Sequence, residues 1–115
     1  MDMDKKFEGI LSTEWSYRFE KLQKSAMVMS YYKYGPIKKN HGKNEDNLMD
    51  AIANLEKRLN MYKETGNTEF LVDVANFAMI EFMSPQHPNS HFEGTDGDVV
   101  ELVGFGINQL RDEFY

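Results

Sequence analysis

Apolar residues recur every three or four positions in three successive stretches of the chain, and this period predicts amphipathic helices. The first helix is expected to begin near Ser12 or Thr13, since either side chain is a suitable N-cap. It should end before Gly35 and Pro36, which both break helices. Its predicted apolar face consists of Trp15, Phe19, Leu22, Ala26 and Met29.

The second helix is expected to begin near Asn44 or Asp46 and to end at Gly66, a residue type that favours the C′ position of a helix. Its stripe has the same spacing of four, three, four and three as the first helix. The stripe consists of Leu48, Ile52, Leu55, Leu59 and Tyr62.

The third helix covers the most apolar segment of the chain, NTEFLVDVANFAMIEFM, and Asn67 or Thr68 is expected to cap it. Apolar residues occupy most of its circumference, which predicts a central position. The segment SPQHPNSHFEGTDGD follows and should be an irregular loop, because prolines and glycines interrupt it. The tail is predicted to be a helix capped by Asp98, with a short strand at VVELV as the alternative.

Taken together, the pattern predicts an all-α fold in one domain spanning residues 1–115. We expect a small helical bundle of about four helices, with a long irregular loop before the last helix. The absence of cysteine excludes disulfides, thiolate metal sites and thiol nucleophiles. No apolar segment is long enough to span a membrane, and no secretory signal is recognisable. A cytoplasmic location, without a membrane partner, is therefore expected.

Charge is distributed unevenly along the chain, whose net charge is −6. Residues 1–63 carry twelve Lys and Arg against nine Asp and Glu, whereas residues 64–115 carry ten acids and one base. Such an acidic half is either a solvated surface or a face that recognises a basic partner.

Three polar residues, Glu69, Asp73 and Asn76, lie on one face of the apolar third helix. Carboxylates on a helix can hold Mg²⁺, and an amide can both donate to and accept from a ligand. The alternative is structural: Glu69 complements the helix dipole, and Asp73 forms a buried salt bridge with a Lys or Arg elsewhere.

The segment KYGPIKKNHGK is basic, contains no acid, and precedes a helix, which suits a phosphate or another anion. Tyrosines just before it could stack on a nucleobase. A solvated lysine-rich loop and half-buried tyrosines are the alternatives. The residues concerned are Tyr31, Tyr32, Lys33, Tyr34, Lys38, Lys39, His41 and Lys43.

A third group of candidate ligands lies in the loop before the tail, where His87 and His91 are followed by Asp96 and Asp98. These residue types bind transition metals. Pro88 argues against a helix that would align the two histidines, so a hydrogen-bonded loop is the default expectation.

The segment LEKRLNMYKETGNTEFLVDVANFAMIEF resembles the second and third helices of small phage and bacterial proteins related to the MazG-like all-α NTP pyrophosphatases. The resemblance covers about residues 33–83, and YGPIKKN resembles a YG segment upstream in some of those proteins. The matching residues are Lys57, Leu59, Asp73, Val74, Ala75, Asn76, Phe77 and Ala78.

The resemblance implies a nucleotide-handling bundle, often dimeric or larger, that binds a nucleotide phosphate and Mg²⁺. Glu56, Glu69 and Asp73 would hold the metal ion. The phosphates would meet Lys33, Lys38 and Lys39, while Tyr34 and Asn76 would contact the ligand. The family's E-x-x-E pattern does not occur in this chain, so the resemblance leaves open whether catalysis accompanies binding.

A second functional class is equally compatible with a short, acidic, cysteine-free chain. Phage proteins of this kind inhibit host enzymes, as anti-CRISPR and other anti-defence proteins do, or they sequester signalling nucleotides. An inhibitor would use the acidic surface of residues 64–115 against a basic cleft of a host protein. This hypothesis predicts exposed acids that hold no metal ion.

Overall fold

The computed structural model describes residues 2–37 and 49–95, and the regular structure in these residues is helical. The described residues contain no strand, which confirms the all-α bundle. The expected last helix and the alternative strand at VVELV lie outside the described residues. The four helices are α1 (Asp2–Glu14), α2 (Tyr17–Tyr34), α3 (Ala51–Thr65) and α4 (Glu69–Met83).

The N-terminal part of the chain forms two helices, so the expected start of the first helix near Ser12 or Thr13 is wrong. Both residues belong to α1, and the Ser12 hydroxyl donates back to the carbonyl oxygen of Gly9 over 2.6 Å. The break comes at Ser16, whose backbone is extended and whose Oγ accepts from the backbone N–H of Phe19 at 3.0 Å. A serine with this geometry is a stronger start signal than the two upstream hydroxyls.

Helix α3 begins at Ala51, later than expected. Asp50 has an extended backbone, and its Oδ1 accepts from the backbone N–H of Ala53 at 3.0 Å, so Asp50 is the N-cap. The expected start at Asn44 or Asp46 is therefore wrong for this helix, and those two residues lie outside the described residues. Several capping residue types precede this stripe, and sequence spacing does not distinguish among them.

The predicted turns after α2 and α3 are confirmed. Gly35 and Gly66 are the C-caps, with φ of 81° and 71°, where a side chain would strain the backbone. Helix α4 then begins as expected at Glu69, whose backbone N–H donates to Oδ1 of Asn67 at 3.1 Å. The connection between α3 and α4 is thus short and tightly hydrogen-bonded.

Helix α4 lies centrally, as predicted, since it packs extensively against α3 and also contacts α2. Its buried residues are Val72, Asn76 and Ile80, spaced four apart on one face. Ala51, at the start of α3, is also buried. The core of the described residues therefore includes one polar side chain, the amide of Asn76.

The predicted apolar face of the first helix is only partly correct. Phe19 and Ala26 are half-buried, but Trp15, Leu22 and Met29 are exposed by 49%, 43% and 59%. Helix α2 has no buried residue, because it meets the bundle along a narrow stripe. The sequence pattern defines an apolar face and does not define how much of that face a neighbour covers.

The chain after α4 is irregular as far as Thr95, in agreement with the predicted loop. It folds back on the end of α4, where the backbone N–H of Gln86 donates to Oε2 of Glu81 at 2.7 Å. The rings of Phe82 and Phe92 meet edge to face at 6.5 Å between centroids. In residues 2–37 and 49–95, no helix is long and apolar enough to cross a membrane.

Candidate functional site

An ion pair between Arg58 and Asp73 joins α3 to α4, with 3.7 Å between Nη1 and Oδ2. Arg58 lies between Leu55 and Tyr62 on the inward face of α3, and Asp73 lies one turn after Glu69 on α4. The two side chains are 34% and 29% exposed, so the pair is at the edge of the core. The salt-bridge interpretation of Asp73 is therefore confirmed.

The environment of Asp73 raises the pKa of its carboxyl group above the ordinary value. Burial is the largest cause, because it disfavours the charged form. The positive charge of Arg58 lowers the pKa, and the negative charge of Glu69 raises it. Burial and Glu69 together outweigh Arg58, so the charged form of the Asp73 carboxyl group is less favourable than that of an exposed carboxylate.

The amide of Asn76 connects α4 to α2 through Gln23. Its Nδ2 donates to the backbone oxygen of Gln23 at 3.2 Å, and its Oδ1 accepts from Nε2 of Gln23 at 3.4 Å. Asn76 is 5% exposed, so these bonds satisfy an amide that would otherwise be costly to bury. The pairing fixes Asn76 beside Asp73, which is three residues earlier on the same helix.

A cleft of about 390 Å³ opens where α2, α3 and α4 meet. Arg58, Asp73 and Asn76 supply its charged and amide groups, and Asn54 adds a second amide. The remaining wall is mainly apolar or aromatic. This part of the wall includes Met27, Tyr34, Ile37, Met49, Phe77 and Ile80.

The guanidinium of Arg58 carries one donor without a partner among the described residues. Its Nε atom is buried and has no hydrogen-bond partner there. Buried donors are normally satisfied by protein, water or a ligand. Arg58 therefore contacts Asp73 through Nη1, while its Nε is buried without a hydrogen bond.

A second cleft of about 620 Å³ adjoins the first on the other side of Ala26 and Asp73, which line both. Its wall includes Arg18 and Ser25 from α2, and Glu69 at the start of α4. Asp73 thus lines both clefts, and the first cleft is also lined by the guanidinium of Arg58 and the buried amide of Asn76.

The three predicted metal ligands are in different environments. Asp73 lines the cleft, Glu69 is exposed one turn earlier, and Glu56 is exposed on α3. Glu56 lies two residues from Arg58, and residues at that spacing do not share a helix face. In the described ranges, no three His, Asp or Glu side chains come together as a possible metal site. A Mg²⁺ ion at Asp73 would thus need oxygens from the ligand or from water.

The predicted phosphate- and base-binding residues are described only in part. Tyr34 lines the cleft, and Lys33 is exposed in the last turn of α2. Asn76 is buried at the cleft wall, and its role in orienting a ligand stays a prediction. Lys38 and Lys39 lie outside the described residues.

The histidine-containing loop forms local hydrogen bonds. Nδ1 of His87 accepts from the backbone N–H of Asn89 at 3.0 Å, and Nδ1 of His91 lies 2.9 Å from the backbone oxygen of Asn89. A hydrogen-bonded loop is the structure that the sequence predicts by default for this segment. Asp96 and Asp98, the other suggested metal ligands, lie outside the described residues.

Sequence reasoning missed Arg58 and Gln23 as partners in the site. Arg58 follows Leu55 by three residues and precedes Tyr62 by four, so it occupies a position on the apolar stripe of α3. A cation on such a stripe is the signal that identifies it. Gln23 gave no comparable signal, because its main interaction with Asn76 uses a backbone oxygen.

Comparisons of the chain with models of known protein families, with curated proteins and with solved structures yield no match. Functional inference therefore depends on the chemistry of the cleft.

Proposed function

We propose that the protein binds a nucleotide in the cleft between α2, α3 and α4. The observation that carries this proposal is the convergence of Arg58, Asp73 and Asn76 on a cleft with otherwise mainly apolar walls. A cleft of about 390 Å³ is within the range of about 300–1,000 Å³ that is usual for small-molecule sites.

The apolar wall suits the flat face of a nucleobase. Tyr34, Ile37 and Phe77 present aromatic and aliphatic surface along this wall, and aromatic side chains stack on every base. A purely apolar ligand would remove water from the Arg58–Asp73 pair without offering either side chain a hydrogen bond, which is unfavourable.

The polar end suits the hydrogen-bonding edge of the base or the sugar. Asp73 can accept and the guanidinium of Arg58 can donate, and the Asn76 amide, which bonds to Gln23, lies beside them at the cleft wall. We expect the phosphates to meet Lys33, in the last turn of α2. Where Mg²⁺ takes part, Asp73 and Glu69 would hold it together with ligand or water oxygens, since hard cations take carboxylate oxygens.

Thermal unfolding with a panel of nucleoside mono-, di- and triphosphates, each with and without Mg²⁺, tests the proposal. A ligand at ten times its Kd adds about 1.4 kcal/mol to the unfolding free energy, which is a shift of several degrees for a domain of this size. The shift should disappear in Arg58→Gln and persist in Lys57→Gln, an exposed neighbour on the same helix. Absence of a shift with every nucleotide, in a folded protein, would reject the proposal.

Inhibition of a host enzyme by protein contact remains the alternative proposal. Glu64 and Glu69 are exposed acids in the described part of the acidic half. Charge reversal at Glu64 and Glu69 should abolish partner binding if this alternative is correct. A protein that binds its target unchanged after this reversal does not act through these acids.

A further inference from the structure

The other described residues leave the outward face of α2 uncovered, and this face combines aromatic rings with lysines. Tyr17, Val28, Tyr31 and Tyr32 are exposed by 56%, 56%, 56% and 83%. Helix α2 contacts α4 through the opposite side, where Phe19, Gln23 and Ala26 are half-buried. The uncovered residues recur at helical spacing, so they form one stripe. This outward stripe consists of Tyr17, Lys21, Lys24, Val28, Tyr31 and Tyr32.

Helix α2 is basic although the chain as a whole is acidic, and two of its lysines, Lys21 and Lys24, lie on the stripe. Helix α2 contains Arg18, Lys21, Lys24 and Lys33 against one acid, Glu20. Glu20 lies 3.9 Å from Lys24, and the Lys24 side chain is 77% exposed, so its charge stays accessible to solvent. A polyanion that contacts this helix locally meets an excess of positive charge.

The aromatic rings lie at both ends of the stripe. Tyr31 and Tyr32 meet edge to face, with 5.9 Å between centroids, and Tyr17 lies about four turns earlier. From Tyr17 to Tyr32 the helix rises about 22 Å at 1.5 Å per residue. This length corresponds to about six nucleotides at 3.4 Å each.

We infer that the outward stripe of α2 binds a single-stranded nucleic acid. Bases stack on Tyr31 and Tyr32, while Lys21 and Lys24 contact the phosphates. Aromatic rings for stacking and cations between them along one track are the recurring chemistry of single-strand binding. A second copy of this chain would bring the same cations face to face, which disfavours self-association through this helix. None of these residues lines the cleft, so the inference does not rest on the proposed nucleotide site.

Fluorescence anisotropy of a labelled dodecathymidine, titrated with the full chain at several salt concentrations, tests this inference. We expect binding that weakens as salt rises and that exceeds binding to a duplex of the same length, whose bases are already stacked. Tyr31→Ala/Tyr32→Ala should weaken binding at least ten-fold, because each lost base stack is worth about a factor of ten. Tyr31→Phe/Tyr32→Phe should bind like the wild type, since the rings remain.

The salt dependence of oligonucleotide binding tests the role of Lys21 and Lys24. Lys21→Gln/Lys24→Gln should lower the slope of log K against log salt by about 1.4, the value for two lost contacts to a single strand. Lys57→Gln/Lys63→Gln removes the same charge from exposed positions on α3 and should leave the slope unchanged.

Three results would overturn the inference. One is no binding at low salt by a protein that is folded by circular dichroism. Another is binding that the tyrosine and lysine substitutions on α2 leave intact. The third is self-association in sedimentation velocity that Tyr31→Ala/Tyr32→Ala abolishes, without oligonucleotide binding, because the face would then belong to a second copy.

Discussion

Arg58 and Asp73 lie 3.7 Å apart across the boundary between α3 and α4, yet the pKa of Asp73 is raised. A carboxylate beside a guanidinium usually has a lowered pKa. Burial of Asp73 outweighs the pairing here, with Glu69 contributing in the same direction. The charged form of Asp73 is therefore less favourable in the folded protein than in the unfolded chain, and this difference affects stability.

The first consequence is a pH dependence of stability. A carboxyl group whose pKa is higher in the folded state than in the unfolded state binds its proton more tightly when folded. The contribution of Asp73 to the unfolding free energy is therefore most favourable below the unfolded pKa of 3.8 and falls as pH rises through the folded value. Asp73→Asn should gain stability relative to the wild type between pH 4 and 7.

Urea denaturation of both proteins across this pH range measures the difference. Asp4→Asn, on α1, is the control for the loss of one exposed acid. The unfolding free energy of Asp73→Asn relative to the wild type should rise with pH. If this difference does not change with pH, or falls as pH rises, the pKa of Asp73 is not raised.

A second prediction concerns the buried amide. Asn76→Ala removes both hydrogen bonds to Gln23 and leaves the Nε2 group of Gln23 without its Oδ1 acceptor. We expect a loss of about 1–3 kcal/mol in unfolding free energy. Asn60→Ala, at an exposed position of α3, should stay within about 0.5 kcal/mol of the wild type. Chemical denaturation measures both, and equal effects would refute a structural role for the Asn76 amide.

A third prediction tests the start of α2 at Ser16. Ser16→Ala removes the side-chain acceptor for the backbone N–H of Phe19 and should cost about 1 kcal/mol. Ser25→Ala, at an exposed position inside the same helix, should be neutral or slightly stabilising, because alanine favours helix. Thermal denaturation measures the stability of the two variants. If Ser16→Ala is as stable as the wild type, Ser16 is not the N-cap of α2.

A fourth prediction uses two glycines that have no neighbour within 4 Å of an added Cβ. Gly66→Ala should destabilise by about 1–2 kcal/mol, because its φ of 71° is unfavourable for a side chain. Gly9→Ala lies within α1 and should stabilise by about 0.5–1 kcal/mol. If the two substitutions change the unfolding free energy in opposite directions, the turn between α3 and α4 is confirmed. Changes in the same direction would contradict it.

The sequence was most informative where local signals determine structure. Gly35 and Gly66 predicted the helix ends, and the density of apolar residues predicted the central place of α4. The start of α2 at Ser16 was not predicted, because several serines and threonines satisfy the same capping preference. Exposure of Trp15 and Met29 was not predicted either, since tertiary contacts decide which part of an apolar face is covered.

Only part of the candidate site was predicted, because tertiary contacts also decide which side chains meet there. Spacing placed Asp73 and Asn76 on one face of a helix, and the structure shows both at one cleft. Spacing does not show what faces them, so the partners Arg58 and Gln23 emerged only from the packing of α2 and α3 against α4.

The most direct test of the nucleotide site observes Arg58 itself. The chain has three arginines, so the Nε–H signal of Arg58 in a ¹H–¹⁵N spectrum is assignable by its loss in Arg58→Gln. On titration with the nucleotide that most stabilises the protein, this signal should shift, because the ligand changes the surroundings of the Arg58 guanidinium at the cleft. A nucleotide that binds while the Arg58 signal stays unchanged would contradict the account.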